Sequence, residues 1–223
     1  MDEFARWIPI FECRDRVSDD QTFSHRADTA SIESLVPSET SGGAHSGDRP
    51  HIPACVQTTS KLPVLIYRNV LPRPRNETTS IAALEKNDWI HGGTFKHYPT
   101  HHYHTVTPEC YAIFNGTTRY LIGKGPLDDH VPGIELDLEA GDLVIQPAGV
   151  AHCNLRSSDD FAYIGVYPRG SPHWDNNWCK ADAQETHEKA MTASSLPVPT
   201  TDPVHGINGP LVEIWTRATG EMA

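Results

Sequence analysis

In GIELDLEAGD, Ile134, Leu136 and Leu138 alternate with Glu135, Asp137 and Glu139, the period-two pattern of a strand with one buried face. Further short apolar runs follow the same logic: LPVLIYRNVL from Leu62 to Leu71, then TRYLIG, DLVIQP and FAYIGVYP. Glycines and prolines separate them. Many short strands with turn residues between them predict an all-β barrel and argue against a βαβ arrangement.

Helical signals are few. Thr78, Thr79 and Ser80 offer N-cap oxygens for a short helix through Ile81 to Glu85 that ends near Trp89. A second helix is expected around AQETHEKAM, within Cys179 to Ala193, followed by SSLPVPTTDPVHG as an extended surface arm. From about Arg14 to Ser60 the chain is rich in Ser, Thr, Asp, Gly and Pro, with too little apolar surface to offset its ordering entropy, so a flexible insertion is expected there. Phe4, Trp7, Ile8, Ile10 and Phe11 precede it as a short docking segment. The expected division is a largely irregular N-terminal segment over 1–60, a barrel over 61–178, and a C-terminal helix and arm over 179–223.

The 223 residues are enough to bury a substantial core in one domain. Lys plus Arg total 18 against 29 Asp plus Glu, a formal charge of −11 that repels phosphate backbones and acidic membranes, so nucleic acid and membrane are excluded as expected partners. MDEFARWIPIFECRDR lacks the basic start and apolar run of a secretory signal, and no apolar stretch approaches the roughly 18 residues of a membrane span. A cytoplasmic location is the expectation. Cys13, Cys55, Cys110, Cys153 and Cys179 form no CxxC pair and are odd in number, which predicts free thiols.

The chemistry is concentrated in two runs. In THHYHTVTPECYAIFNG, His102 and His104 lie two apart and therefore aim into one cavity, with Tyr103 on the opposite face. Thr107-Pro108 suggests a turn or bulge that returns Glu109 to the same cavity. In GDLVIQPAGVAHCNL, the turn at Pro147-Ala148-Gly149 releases a strand that begins near His152. Three imidazoles and a carboxylate suit one divalent transition metal and exclude a calcium site. Tyr111 and Ile113 share the parity of Glu109 and Asn154 that of His152, which allows pocket or core roles alike. Cys110 and Cys153 have outward parity and are expected to pack, while Trp174 and Asp175 are read as structural.

The spacing H-x-H, four residues, E, six residues, G, followed by G, five residues, P-x-G, two residues, H, resembles the two motifs of the cupin superfamily. Lys96 stands where the first motif usually carries a glycine. A narrower resemblance, carried by HHYH, AGDLVIQPAGVAH, SSDDFAYIGVYPRG and DPVHGINGPL, is to the YjlB-like single-domain cupins. It covers roughly Leu62 to Trp178 and Asp202 to Leu211. The resemblance implies a double-stranded β-helix (RmlC-like jelly-roll) barrel with short peripheral helices, a bound metal, and a homodimer formed by exchange of edge strands.

The expected function is a metal-dependent oxidoreductase of dioxygenase type acting on a small organic metabolite. His102, His104, Glu109 and His152 would hold the ion, and Glu109 and Tyr111 would serve catalysis. Iron is the favoured ion, with Mn, Ni or Zn as the others, because an octahedral ion keeps two adjacent open positions whereas four protein ligands close a tetrahedral zinc site. The competing expectations are a metal-dependent isomerase, lyase or decarboxylase, and a non-enzymatic metabolite-binding or storage cupin.

Overall fold

The computed structural model describes residues 10–14, 31–34, 60, 62–129 and 132–220. Ten strands and three helices follow in the order β1 (Ile10–Arg14), β2 (Ser31–Ser34), β3 (Val64–Arg68), α1 (Glu77–Glu85), β4 (Trp89–Phe95), β5 (Glu109–Asn115), β6 (Thr117–Ile122), β7 (Ile134–Glu139), β8 (Leu143–Gln146), β9 (His152–Ser157), β10 (Ala162–Pro168), α2 (Ala183–Ser194) and α3 (Pro210–Thr219). Among the described residues, no helix is long and apolar enough to cross a membrane.

The strands form two sheets, one of seven in the order β2-β1-β3-β8-β5-β10-β4 and one of three in the order β7-β6-β9. All neighbours are antiparallel except β1 and β3. The sheets pack face to face in the manner of a jelly roll. FAYIGVYP lies inside the large sheet as β10, between β5 and β4.

Alternation along the strands divides the interior in two. Val64, Ile66, Tyr111, Ile113, Val144 and Tyr163 face the small sheet and pack on Tyr120, Ile122 and Leu138. Their neighbours Leu65, Tyr67, Cys110, Ala112, Leu143 and Ile145 point the other way, under Leu84 of α1 and Leu211 and Trp215 of α3. The central strands of the large sheet are thus buried on both faces, which explains why VLIY and LVIQ read as continuous apolar runs. β7, by contrast, buries only Leu138 fully while Glu135, Asp137 and Glu139 are exposed, as its alternation predicts.

Several expectations shift. The first helix starts earlier, at Glu77, because Asn76 rather than a later Thr caps it: the Asn76 side chain accepts Thr79 N–H at 3.0 Å while Thr79 Oγ1 accepts from the Asn76 backbone. It ends at Glu85, and Trp89 opens β4, a strand whose paired glycines in WIHGGTF concealed it. The N-terminal region read as irregular contributes β1 and β2 to the large sheet; the docking residues Phe4, Trp7 and Ile8 lie outside the described residues. The arm ends in a helix the sequence reading missed, α3, which has Pro210 in its first turn and is closed by Gly220 at φ 78°.

Candidate metal centre

Residues 98–104 run alongside the edge of β9 with little regular secondary structure. His102 N–H donates to His152 C=O at 3.2 Å and His152 N–H returns to His102 C=O at 2.9 Å. On its other side Tyr103 pairs with Asn177. This two-sided pairing fixes the side-chain parity: His102 and His104 turn inward, while Tyr103 packs outward with Ala151, Cys179 and Ala190 beside α2. Bends at 105–107 then bring the chain to Glu109, the first residue of β5. Gly149 adopts φ 84°, a left-handed value that glycine takes without strain, and its N–H donates to His104 C=O at 2.8 Å.

His102, His104, Glu109 and His152 are all buried, and one ligand atom from each lies within 4.8 Å of the others. The sequence prediction of these four as one cluster is therefore met in space. Each imidazole has its Nδ1 against a backbone carbonyl: His102 on Thr100 at 3.0 Å, His152 on Val150 at 3.0 Å, and His104 on Asp175. A carbonyl can only accept, so each Nδ1 carries the proton, and the Nε2 atoms are the ones turned to the cluster.

Glu109 Oε2 sits 3.0 Å from His104 Nε2 and 3.2 Å from His152 Nε2. The second approach is out of line for a hydrogen bond, so His152 Nε2 is a buried nitrogen without a hydrogen-bond partner. A lone pair facing a carboxylate oxygen at that distance is the arrangement a cation resolves. The residues fit a divalent transition ion in donor type, number and convergence.

The electrostatics differ from ligand to ligand. Burial, reinforced by the neighbouring His152 ring, pushes His102 down to about 3, so its imidazole is neutral and ready to ligate. Burial alone would raise Glu109, but His104 outweighs it and holds the carboxyl well below the usual range. Burial would likewise lower His104, and the Glu109 carboxylate raises it instead.

Three groups support the cluster, of which Tyr167 escaped the sequence reading while Trp174 and Asp175 were read as structural. Tyr167 donates its hydroxyl to Glu109 Oε1 at 2.6 Å. Trp174 stacks on Tyr167 with centroids 4.5 Å apart and planes 5° from parallel. Asp175, read only as structural, holds His104 through its carbonyl, while its carboxylate accepts Thr105 N–H at 2.8 Å, Thr105 Oγ1–H and Asn177 Nδ2–H at 2.6 Å. The parity of Tyr163, Gly165 and Tyr167 in FAYIGVYP could have placed Tyr167 inward, but not opposite Glu109.

Tyr111 lies in the interior, its ring 5.4 Å from that of His152 and stacked on Tyr163 at 4.0 Å. Asn154 is a latch: its Oδ1 accepts Tyr98 N–H at 2.9 Å and its Nδ2 donates to Thr118 Oγ1 at 3.1 Å. His101 bonds the Lys124 carbonyl, His97 bonds Ser157, and His173 stacks on Trp174, so none of these joins the cluster. His130 lies outside the described residues. Cys110 sits under α3 as expected, and Cys110 and Cys153 are free thiols. A groove of about 850 Å³ lined by Arg68, Arg119, Asp137 and Arg156 contains none of the four cluster residues. Two of its cations pair locally, Arg68 with Glu12 and Asp142, and Arg119 with Glu135 and Asp137.

Over 157 residues the chain is 30% identical to the uncharacterized protein YjlB of Bacillus subtilis (strain 168), spanning 70% of this chain and 87% of that protein. The chain belongs to the YjlB family. No family model matches it. Among solved structures this YjlB-family chain is similar to procruciferin, an 11S globulin from Brassica napus, at 10% identity and TM-score 0.32 over 47% of this chain and 31% of that one. A vicilin from Solanum melongena matches at 18% identity and TM-score 0.29, over 52% and 30% of the two chains. YcfD, a ribosomal oxygenase from Escherichia coli, matches at 18% identity and TM-score 0.26, over 67% and 39%. The chain thus spans under half the length of these structures, and they carry no argument about its activity.

Proposed function

We propose that this YjlB-like cupin is a metal-dependent oxidoreductase of dioxygenase type, acting on a small organic metabolite at a mononuclear site held by His102, His104, Glu109 and His152. The observation that carries the reading is the set of three Nδ1–carbonyl bonds, which turn three Nε2 lone pairs onto one point beside a buried carboxylate. Hydrogen bonds of this kind orient a ligand and raise its basicity. A bound divalent transition ion supplies Lewis acidity and redox capacity there.

The protein's own part is to position and to exclude water. Burial of all four side chains keeps bulk solvent from the reacting atoms. Glu109, held ionised, supplies the one anionic ligand of the set. Burial keeps the Tyr111 phenol protonated, so its hydroxyl acts as a donor. Tyr98 and the exposed Trp178 flank His102, with ring centroids 4.8 and 6.1 Å away, and form an aromatic rim for an organic substrate.

Elemental analysis of the purified protein beside His104→Ala tests the site, and oxygen-electrode assays across a metabolite panel test the reaction. Near-stoichiometric Fe, Mn or Ni that is lost in the variant, with substrate-dependent oxygen uptake, is the expected result. Metal-dependent turnover without oxygen uptake would replace the reading by an isomerase, lyase or decarboxylase; no metal after reconstitution would replace it by a binding protein.

A further inference from the structure

The two oxygens of Glu109 have different surroundings. Oε2 faces His104 Nε2 and His152 Nε2, whereas Oε1 is turned away and takes the Tyr167 hydroxyl at 2.6 Å. Oε1 is also boxed in by backbone, since a Cβ at Gly165 would stand 3.0 Å from it.

The ring that carries the hydroxyl is itself held. Trp174 lies flat against Tyr167, and His173 stacks on Trp174 with centroids 4.1 Å apart. On the strand β4 side the approach is so close that a Cβ at Gly92 would come within 2.4 Å of Tyr167 Cε2 and 2.9 Å of Trp174 Cζ3. Gly92 therefore lets the strand touch the ring pair, and Tyr167 has little room to withdraw its hydroxyl.

We propose that Tyr167 is a positioning residue that ties Glu109 down as a one-oxygen metal ligand, with Trp174 and Gly92 locking the tyrosine ring in place. The inference rests on the reading of the four-residue cluster as a metal site. A carboxylate committed at Oε1 cannot swing to present both oxygens without giving up a charge-assisted hydrogen bond. The position a second oxygen would take is thereby kept for substrate.

Cobalt(II) is the probe: its affinity is measured by competition with a chromophoric chelator, and its coordination by visible absorption. Wild type, Tyr167→Phe and Tyr163→Phe are compared, the last removing a buried hydroxyl that makes no hydrogen bond to the Glu109 carboxylate. The expected result is roughly 10–100-fold weaker cobalt binding in Tyr167→Phe with an altered absorption spectrum, and neither change in Tyr163→Phe. Should Tyr167→Phe not fold, Trp174→Leu, which keeps the hydroxyl but frees the ring, is expected to shift affinity and spectrum the same way. A cobalt-loaded wild type whose affinity and spectrum are matched by the folded variant overturns the role of Tyr167 and leaves the site standing. A wild type that takes up no cobalt overturns both readings.

Discussion

The backbone carbonyl of Asp175 accepts the Nδ1–H of His104 across 71 positions of sequence. The same residue anchors its loop by side chain, accepting from the Thr105 backbone and hydroxyl and from Asn177. Asp175→Ala removes the anchor and lets the carbonyl drift from His104. Metal affinity should fall by roughly 10–100-fold, as is usual when an outer partner of a ligand is lost. Competition titration against a chelator checks this, and an unchanged constant would show that the loop holds itself.

Burial alone would raise the Asp175 carboxyl, but the hydrogen bonds from Thr105 and Asn177 outweigh it and hold it below its ordinary value. A depressed folded value stabilises the protein above the unfolded value and loses that stabilisation as pH falls through the folded one. The stability gap between wild type and Asp175→Asn should therefore narrow as pH drops below about 4. Urea unfolding at a series of pH values reads it; a gap constant down to acid pH would refute the assignment.

Gly165 lies in β10 directly against the cluster, where a side-chain carbon would crowd Glu109 Oε1. Gly165→Ala places a methyl 3.0 Å from that oxygen and 3.3 Å from Phe95. Metal retention should drop while the fold survives, seen as reduced metal content with an unchanged far-ultraviolet circular dichroism spectrum. Full metal content would mean the carboxylate yields without cost.

Binding to the native state alone stabilises it by mass action, by about 2.7 kcal/mol at a hundredfold excess over the dissociation constant. Metal should accordingly raise the melting temperature of the wild type and leave Glu109→Ala unmoved. An equal rise in both proteins would place the ion elsewhere.

Trp215 is 1% exposed and donates its Nε1–H to the Pro63 carbonyl at 2.9 Å, pinning α3 across the outer face of the large sheet. Trp215→Ala should cost about 3–5 kcal/mol. A lower urea midpoint with an unchanged slope would show it. A midpoint near that of the wild type would make α3 an accessory to the fold.

The four cluster residues were legible because two short-range rules place them. The two-residue period of an extended chain pairs His102 with His104, and fixed turn lengths bring Glu109 and His152 to strand starts. β7 and the inward parity of Tyr111 were legible for the same reason. What the sequence did not disclose depends on contacts between distant segments. Tyr167 faces Glu109 only because β10 lies against β5 in one register, with Val166 opposite Cys110. Asp175 reaches His104 only because the chain after β10 folds back beside residues 103–105. β4 was hidden by two glycines, Gly92, which admits the Tyr167–Trp174 pair, and Gly93, which lies against the Phe95 ring, a demand set by packing. Local periodicity specified which side chains could ligate; pairing of remote strands decided what holds them.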